Sequence, residues 1–177
     1  MRRTSTVLAL CLLASCSTEG VGARTAAVNG MVDTDEAWAG VLGMQITKPE
    51  GVASCTGVLI APNLVLTARH CVSSTARDLI CGSAPLAPPV DGSMVLSTND
   101  VTIVETSVAV RGLRVEVPSE GDDECGFDIA AVILQSEVPG ARVYPPRLDR
   151  AVMPGEPFTA EGYVTPAGTG SAPPSGL

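Results

Sequence analysis

The chain has 177 residues, 45% of them apolar but only 3% aromatic, with a formal net charge of −8. That length fits one domain of ordinary size and is tight for two. The acidic balance argues against partners held by positive charge, nucleic acid and anionic lipid among them.

With so few aromatics, the core must be built from Val, Leu, Ile and Ala. In chain order, residues 1–16 read as an export signal and not as part of the fold. Arg2 and Arg3 give a positive start, and Val7 to Ala14 is an apolar run far below the ~20 residues a membrane-spanning helix needs. Its end, Leu13-Ala14-Ser15-Cys16, resembles the bacterial lipobox. That resemblance implies lipidation of Cys16 and a protein anchored at the periplasmic or cell surface through its lipid alone. The other reading is an ordinary signal peptide cut after Val21-Gly22-Ala23, with Cys16 lost and the protein secreted. Without Arg2 and Arg3, Lys+Arg falls from 11 to 9 against 19 Asp+Glu, a net charge of −10.

Export also bears on the cysteines. Removing Cys11 and Cys16 from the six leaves Cys55, Cys71, Cys81 and Cys125. In an oxidising compartment these predict two disulfides, with three pairings open. No C-x-x-C spacing occurs and the chain has one histidine, which argues against a zinc site.

Residues 17–26 are small and polar and read as a flexible tether. From Trp38, short apolar runs alternate with turn residues, as the Gly 18 and Pro 14 of the composition suggest. Ala37 to Ile46 predicts a strand and Lys48-Pro49-Glu50-Gly51 a turn. Cys55 to Ile60 predicts a second strand, Ala61-Pro62-Asn63 a tight turn, and Leu64 to Ala68 a third strand. A proline-rich loop covers Ala84 to Gly92. Val101 to Glu105, Val108 to Val117 and Ile129 to Leu134 predict further strands. A spacing of about ten residues between strand signals suits an antiparallel all-β barrel or sandwich. Residues 165–177 hold Thr, Pro, Ala, Gly and Ser without hydrophobic pattern and read as a flexible tail.

His70 closes the stretch LTARH, directly after a predicted strand and beside Cys71. A lone histidine is more often structural than catalytic. A general base, however, needs a fixed backbone and a carboxylate to orient its ring. Asp128 is the candidate carboxylate, because it stands at the mouth of the apolar run IAAVIL, where an unpaired charge would be costly. Extended geometry would point the side chains of His70 and Cys71 to opposite faces, against Cys71 as a nucleophile. Glu120, Asp122, Asp123 and Glu124 form an acidic run, read as a solvated loop rather than a calcium site.

The stretch SCTGVLIAPNLVLTARHCV, Ser54 to Val72, resembles the surroundings of the catalytic histidine in trypsin-like serine peptidases. DIAAVIL resembles that family's D-I-A-L-L-x-L, and the order His then Asp agrees. The resemblance implies His70 as general base, Asp128 as its orienter and a Cys55–Cys71 disulfide, leaving Cys81 with Cys125. It implies a six-stranded antiparallel Greek-key barrel, the first of the family's two, with only the start of the second, over residues 27–164. Ala27-Val28-Asn29-Gly30 is similar to the family's mature N-terminus, with Ala27 in place of isoleucine. Gly162-Tyr163-Val164 is similar to the turn that opens the second barrel. Protein or peptide substrates are implied, and no cofactor.

The family's nucleophile lies in Gly-Asp-Ser-Gly-Gly, about ninety residues beyond the aspartate. That motif occurs nowhere in the 177 residues. Ser93 and Ser171 are read as turn and tail residues. The expectation is an exported serine endopeptidase by descent, truncated and inactive as this chain alone. The alternative is a non-enzymatic pseudopeptidase lipoprotein that binds a protein or peptide, a partner covering the apolar surface exposed by the half-cleft.

Overall fold

Side chains alternate across a strand, and along β1, Val41–Lys48, the alternation puts Leu42, Met44 and Ile46 on one fully buried face. The computed structural model describes residues 39–75, 85–100, 108–164 and 175–176. Five more strands complete the sheet: β2 (Gly51–Ala61), β3 (Leu64–Thr67), β4 (Val95–Thr98), β5 (Val110–Glu116) and β6 (Ala130–Leu134). They close into a barrel in the order β1-β2-β3-β6-β5-β4, every pair antiparallel. Closure leaves the six-stranded sheet without an unpaired edge. The core takes Leu59 from β2, Val65 from β3, Val95 from β4, Val110 from β5, and Ala130, Val132 and Leu134 from β6. It is aliphatic throughout, as the composition required.

The all-β, six-stranded antiparallel expectation holds, with differences of detail. Strand β4 was not anticipated. It is four residues long, and Ser97 and Thr98 within it are buried, so the apolar pattern that marks a strand is missing. The strand expected at Val101 to Glu105 lies outside the described residues, as do Ala37 and Trp38. His70 and Cys71 are not extended. They sit in a short helical turn, α1, Arg69–Val72, so the strand ends before them and the argument from opposite faces does not apply. A second short helical turn, α2, spans Glu124–Phe127, with its N-terminus capped by Asp123.

After β6 the chain runs without regular structure until β7, Tyr163–Val164, which pairs with β8, Ser175–Gly176. Within that run Glu156 gathers the guanidinium groups of Arg147 and Arg150 and the amide of Met153. Tyr163 brings the chain back to the barrel. Its amide donates to Thr56 Oγ1 at 2.8 Å and its hydroxyl to the Asp100 carbonyl at 2.7 Å. Burial pushes the phenol's pKa up, with Asp100 adding to the shift. Among the described residues no helix is long and apolar enough to cross a membrane.

Gly57 on β2 shows how tightly the interior is filled. A Cβ there would come within 2.4 Å of Val65 Cγ1 and 2.6 Å of Met44 Sδ. Overpacking of this kind costs about 1–3 kcal/mol. Gly57→Ala therefore lowers stability by about that amount in chemical denaturation, whereas Gly51→Ala meets nothing within 4 Å and pays only for its positive φ.

Candidate active site

The pairing of β3 with β6 builds the site. Leu64 faces Ile133 and Thr67 faces Ala130. Chain leaving β3 past Thr67 and chain entering β6 before Ala130 therefore meet at one end of the barrel. That meeting brings together His70 on α1 and Asp128 at the end of α2, although 58 residues separate them.

Asp128 uses both carboxylate oxygens on His70. Oδ1 accepts the His70 backbone N–H at 2.8 Å, and Oδ2 lies 2.8 Å from Nδ1. One contact sets where the turn begins and the other sets the ring. With Nδ1–H donated to the carboxylate, Nε2 is left as the acceptor. The side chains are 40% and 22% exposed, His70 the more open. A histidine so held, with one nitrogen engaged and the ring open to solvent, can take a proton from a group placed against Nε2.

Three further links hold the turn. Cys71 is joined to Cys55 on β2, with 6.0 Å between Cα atoms. Arg69, only 5% exposed, donates from a guanidinium nitrogen to the Gly121 carbonyl at 2.7 Å, tying the turn to the acidic loop. Lys48 donates from Nζ to the carbonyls of His70 and Ser73, each at 2.8 Å. Burial pushes the Lys48 pKa down, and the nearby Glu50 carboxylate opposes that shift.

The sequence reading missed Lys48 and Arg69 as supports. Lys48 lies at the end of β1, 22 residues before His70, and no local pattern announces such a contact. The acidic run is also more than a solvated loop. Glu124 lies with its carboxylate, a His70 ring nitrogen and an Asp128 oxygen all within 4.8 Å of one another. Such a set has the donors for a divalent cation, but Nδ1 and Oδ2 are already engaged with each other. Cys55 and Cys71, which also flank His70, are consumed in their disulfide.

The remaining candidates stand as follows. Ser93 lies in a 3-10 turn, and its hydroxyl donates to Asp91 Oδ1 at 2.6 Å. The carboxylate of Asp91 also accepts the Ser93 amide and is held below its usual pKa by these two bonds. Cys125 is disulfide-bonded. Cys16, Cys81 and Ser171 lie outside the described residues.

The family model described as Trypsin matches residues 27–175. Among curated proteins, a trypsin of Saccharopolyspora erythraea is 32% identical over 108 residues, covering 60% of this chain and 41% of that protein. The chain thus spans less than half the length of the curated relative it matches. Among solved structures, the scabies mite inactivated protease paralogue S-I1 is 17% identical with a TM-score of 0.48, covering 68% of this chain and 50% of its own. The paralogue S-D1 is 13% identical with a TM-score of 0.46, covering 70% and 46%.

Proposed function

This chain belongs to the trypsin family, and on that premise we propose that it carries the base and orienter of a serine endopeptidase site without the nucleophile. The carrying observation is the double use of Asp128 on His70, at 2.8 Å to the backbone amide and 2.8 Å to Nδ1. In such a site His70 Nε2 takes the proton of the attacking hydroxyl and later delivers it to the leaving amine. Asp128 stays ionised, holds the tautomer and stabilises the imidazolium. The substrate class is protein or peptide, as the family implies. No Gly-Asp-Ser-Gly-Gly is present in the 177 residues, and Ser93 is engaged in its own turn.

The expected result is that the purified chain hydrolyses neither casein nor short peptide esters. Hydrolysis that His70→Ala abolishes would place a nucleophile within these residues and sink the proposal. The remaining assignments belong to the same reading: export, a lipid on Cys16, and a Cys81–Cys125 pair. Metabolic labelling with palmitate, lost in Cys16→Ser, tests the anchor.

One observation favours a second, non-enzymatic reading. Leu148 is 88% and Phe158 89% exposed, and Val152 and Met153 stand exposed between them. Exposed large apolar side chains gathered in one short stretch are the kind of surface a binding partner covers. In that reading His70 and Asp128 are retained as structure, and the chain holds a protein or peptide without cutting it. A stable complex recovered from cells, and lost in Leu148→Asp with Phe158→Asp, is the outcome that distinguishes it.

A further inference from the structure

The turn that carries His70 is four residues long. A helix so short has carbonyls at its C-terminal end with no partner inside the helix. Its own contacts cannot hold it against the barrel, yet the His70–Asp128 geometry depends on where it sits. Besides the Cys55–Cys71 bond, Arg69 and Asp128, the tip of the β1–β2 hairpin holds the turn, and it does so at those carbonyls. Lys48, the last residue of β1, donates to the carbonyls of His70 and Ser73, each at 2.8 Å. Two residues on, Glu50 accepts the hydroxyl of Ser74 at 2.8 Å. The hairpin tip therefore grips residues 70–74 at three points. Lysine is suited to the first two, because an ammonium offers three donors on a long stem, and a cation is favoured at a helix C-terminus.

We propose that Lys48 is a positioning residue for His70, clamping the carbonyl of the histidine itself so that its ring stays on Asp128. The inference rests on the reading of His70 and Asp128 as base and orienter. Lys48 is half-buried in this place, which pushes its pKa down, whereas a lysine that only solubilised the hairpin would stay in water. A cation beside the His70 carbonyl disfavours the imidazolium. Among the described residues, Asp128 and Glu124, both negative, also lie close to the ring. The adjacent Arg69 is turned to the Gly121 carbonyl.

The chain has a single histidine, so NMR of the full 177-residue protein labelled with 15N-histidine reads one imidazole without assignment. The measurements are the pH titration of the ring and the low-field Nδ1 proton, in wild type, Lys48→Met, Lys48→Gln and Lys48→Arg. Lys48→Met is expected to raise the His70 midpoint and to broaden or abolish the Nδ1 proton. Lys48→Arg, which keeps the charge and donates to both carbonyls, restores both signals. Lys48→Gln keeps a donor without the charge, so it raises the midpoint while retaining more of the Nδ1 proton than Met does. A Lys48→Met protein that melts lower but titrates as wild type, with its Nδ1 proton intact, overturns the proposal. So does a failure of both Met and Gln variants to fold, since Lys48 would then be a stability element. A wild-type protein with no low-field Nδ1 proton instead sinks the base-and-orienter reading itself, whatever Lys48 does.

Discussion

Asp128→Asn lowers the protonation midpoint of His70, because the imidazolium loses the carboxylate paired with it. The sign follows from the charge: removing an anion beside an ionisable base disfavours its cationic form. The substitution also reverses the ring. An asparagine amide that keeps its oxygen on the His70 backbone N–H, now 2.8 Å from Oδ1, turns its NH2 towards Nδ1. The histidine must then carry its proton on Nε2, and Nε2 ceases to be an acceptor. The 15N shifts of the single histidine report that tautomer change directly. In a peptidase completed by a nucleophile, the same change costs on the order of 10⁴ in kcat. Unchanged shifts and midpoint in Asp128→Asn would mean that the contact to Oδ2 does not govern the ring in solution.

Removing the Cys55–Cys71 bond has the largest expected effect on stability. The bond closes a loop with a sequence separation of 16, for which chain entropy predicts about 3 kcal/mol. The double variant Cys55→Ala with Cys71→Ala avoids a stray thiol. It should lose about that amount in urea denaturation and melt roughly 10 °C lower. The loss reaches the site as well, since Cys71 is the neighbour of His70 on α1 and Cys55 anchors that turn to β2. A broadened His70 signal should accompany the lower melting point. A double variant as stable as the parent would mean that the turn is held by Lys48, Arg69 and Asp128 without help from the disulfide.

The two predictions concern contacts that differ in how they can be read from the chain. Cys71 is adjacent to His70 in sequence, and the resemblance of the run from Ser54 to Val72 to the trypsin-like family implies the bond. Asp128 was nameable because an aspartate at the mouth of IAAVIL needs a partner. Lys48 and Arg69 offered no such signal. A lysine beside Pro49 reads as a surface turn residue, and its two carbonyl partners, at positions 70 and 73, carry no side-chain signature at all. Strand β4 escaped for a related reason. It buries Ser97 and Thr98 on its two opposite faces, where alternation leads one to expect aliphatic residues. The Thr98 hydroxyl is satisfied there by the Val108 carbonyl at 2.9 Å, a contact made by tertiary structure alone.

Sequence by itself determined the class of fold, the aliphatic core, the two residues of the candidate dyad and the absence of the family's serine motif from these 177 residues. The fold class and core are written in residue type and local spacing, through alternation in β1 and β6 and turn chemistry at Pro62-Asn63, whereas the dyad and the missing motif are implied by the resemblance of Ser54 to Val72 and of DIAAVIL to the trypsin-like family. Tertiary structure decided how the dyad is held. Register between β3 and β6 brings positions 70 and 128 to one end of the barrel. Closure of β4 onto β1 seals the core. The hairpin tip at Lys48 then lies over the turn that carries His70. These outcomes depend on contacts between residues far apart in the chain, and such contacts come from the folded packing of several elements at once.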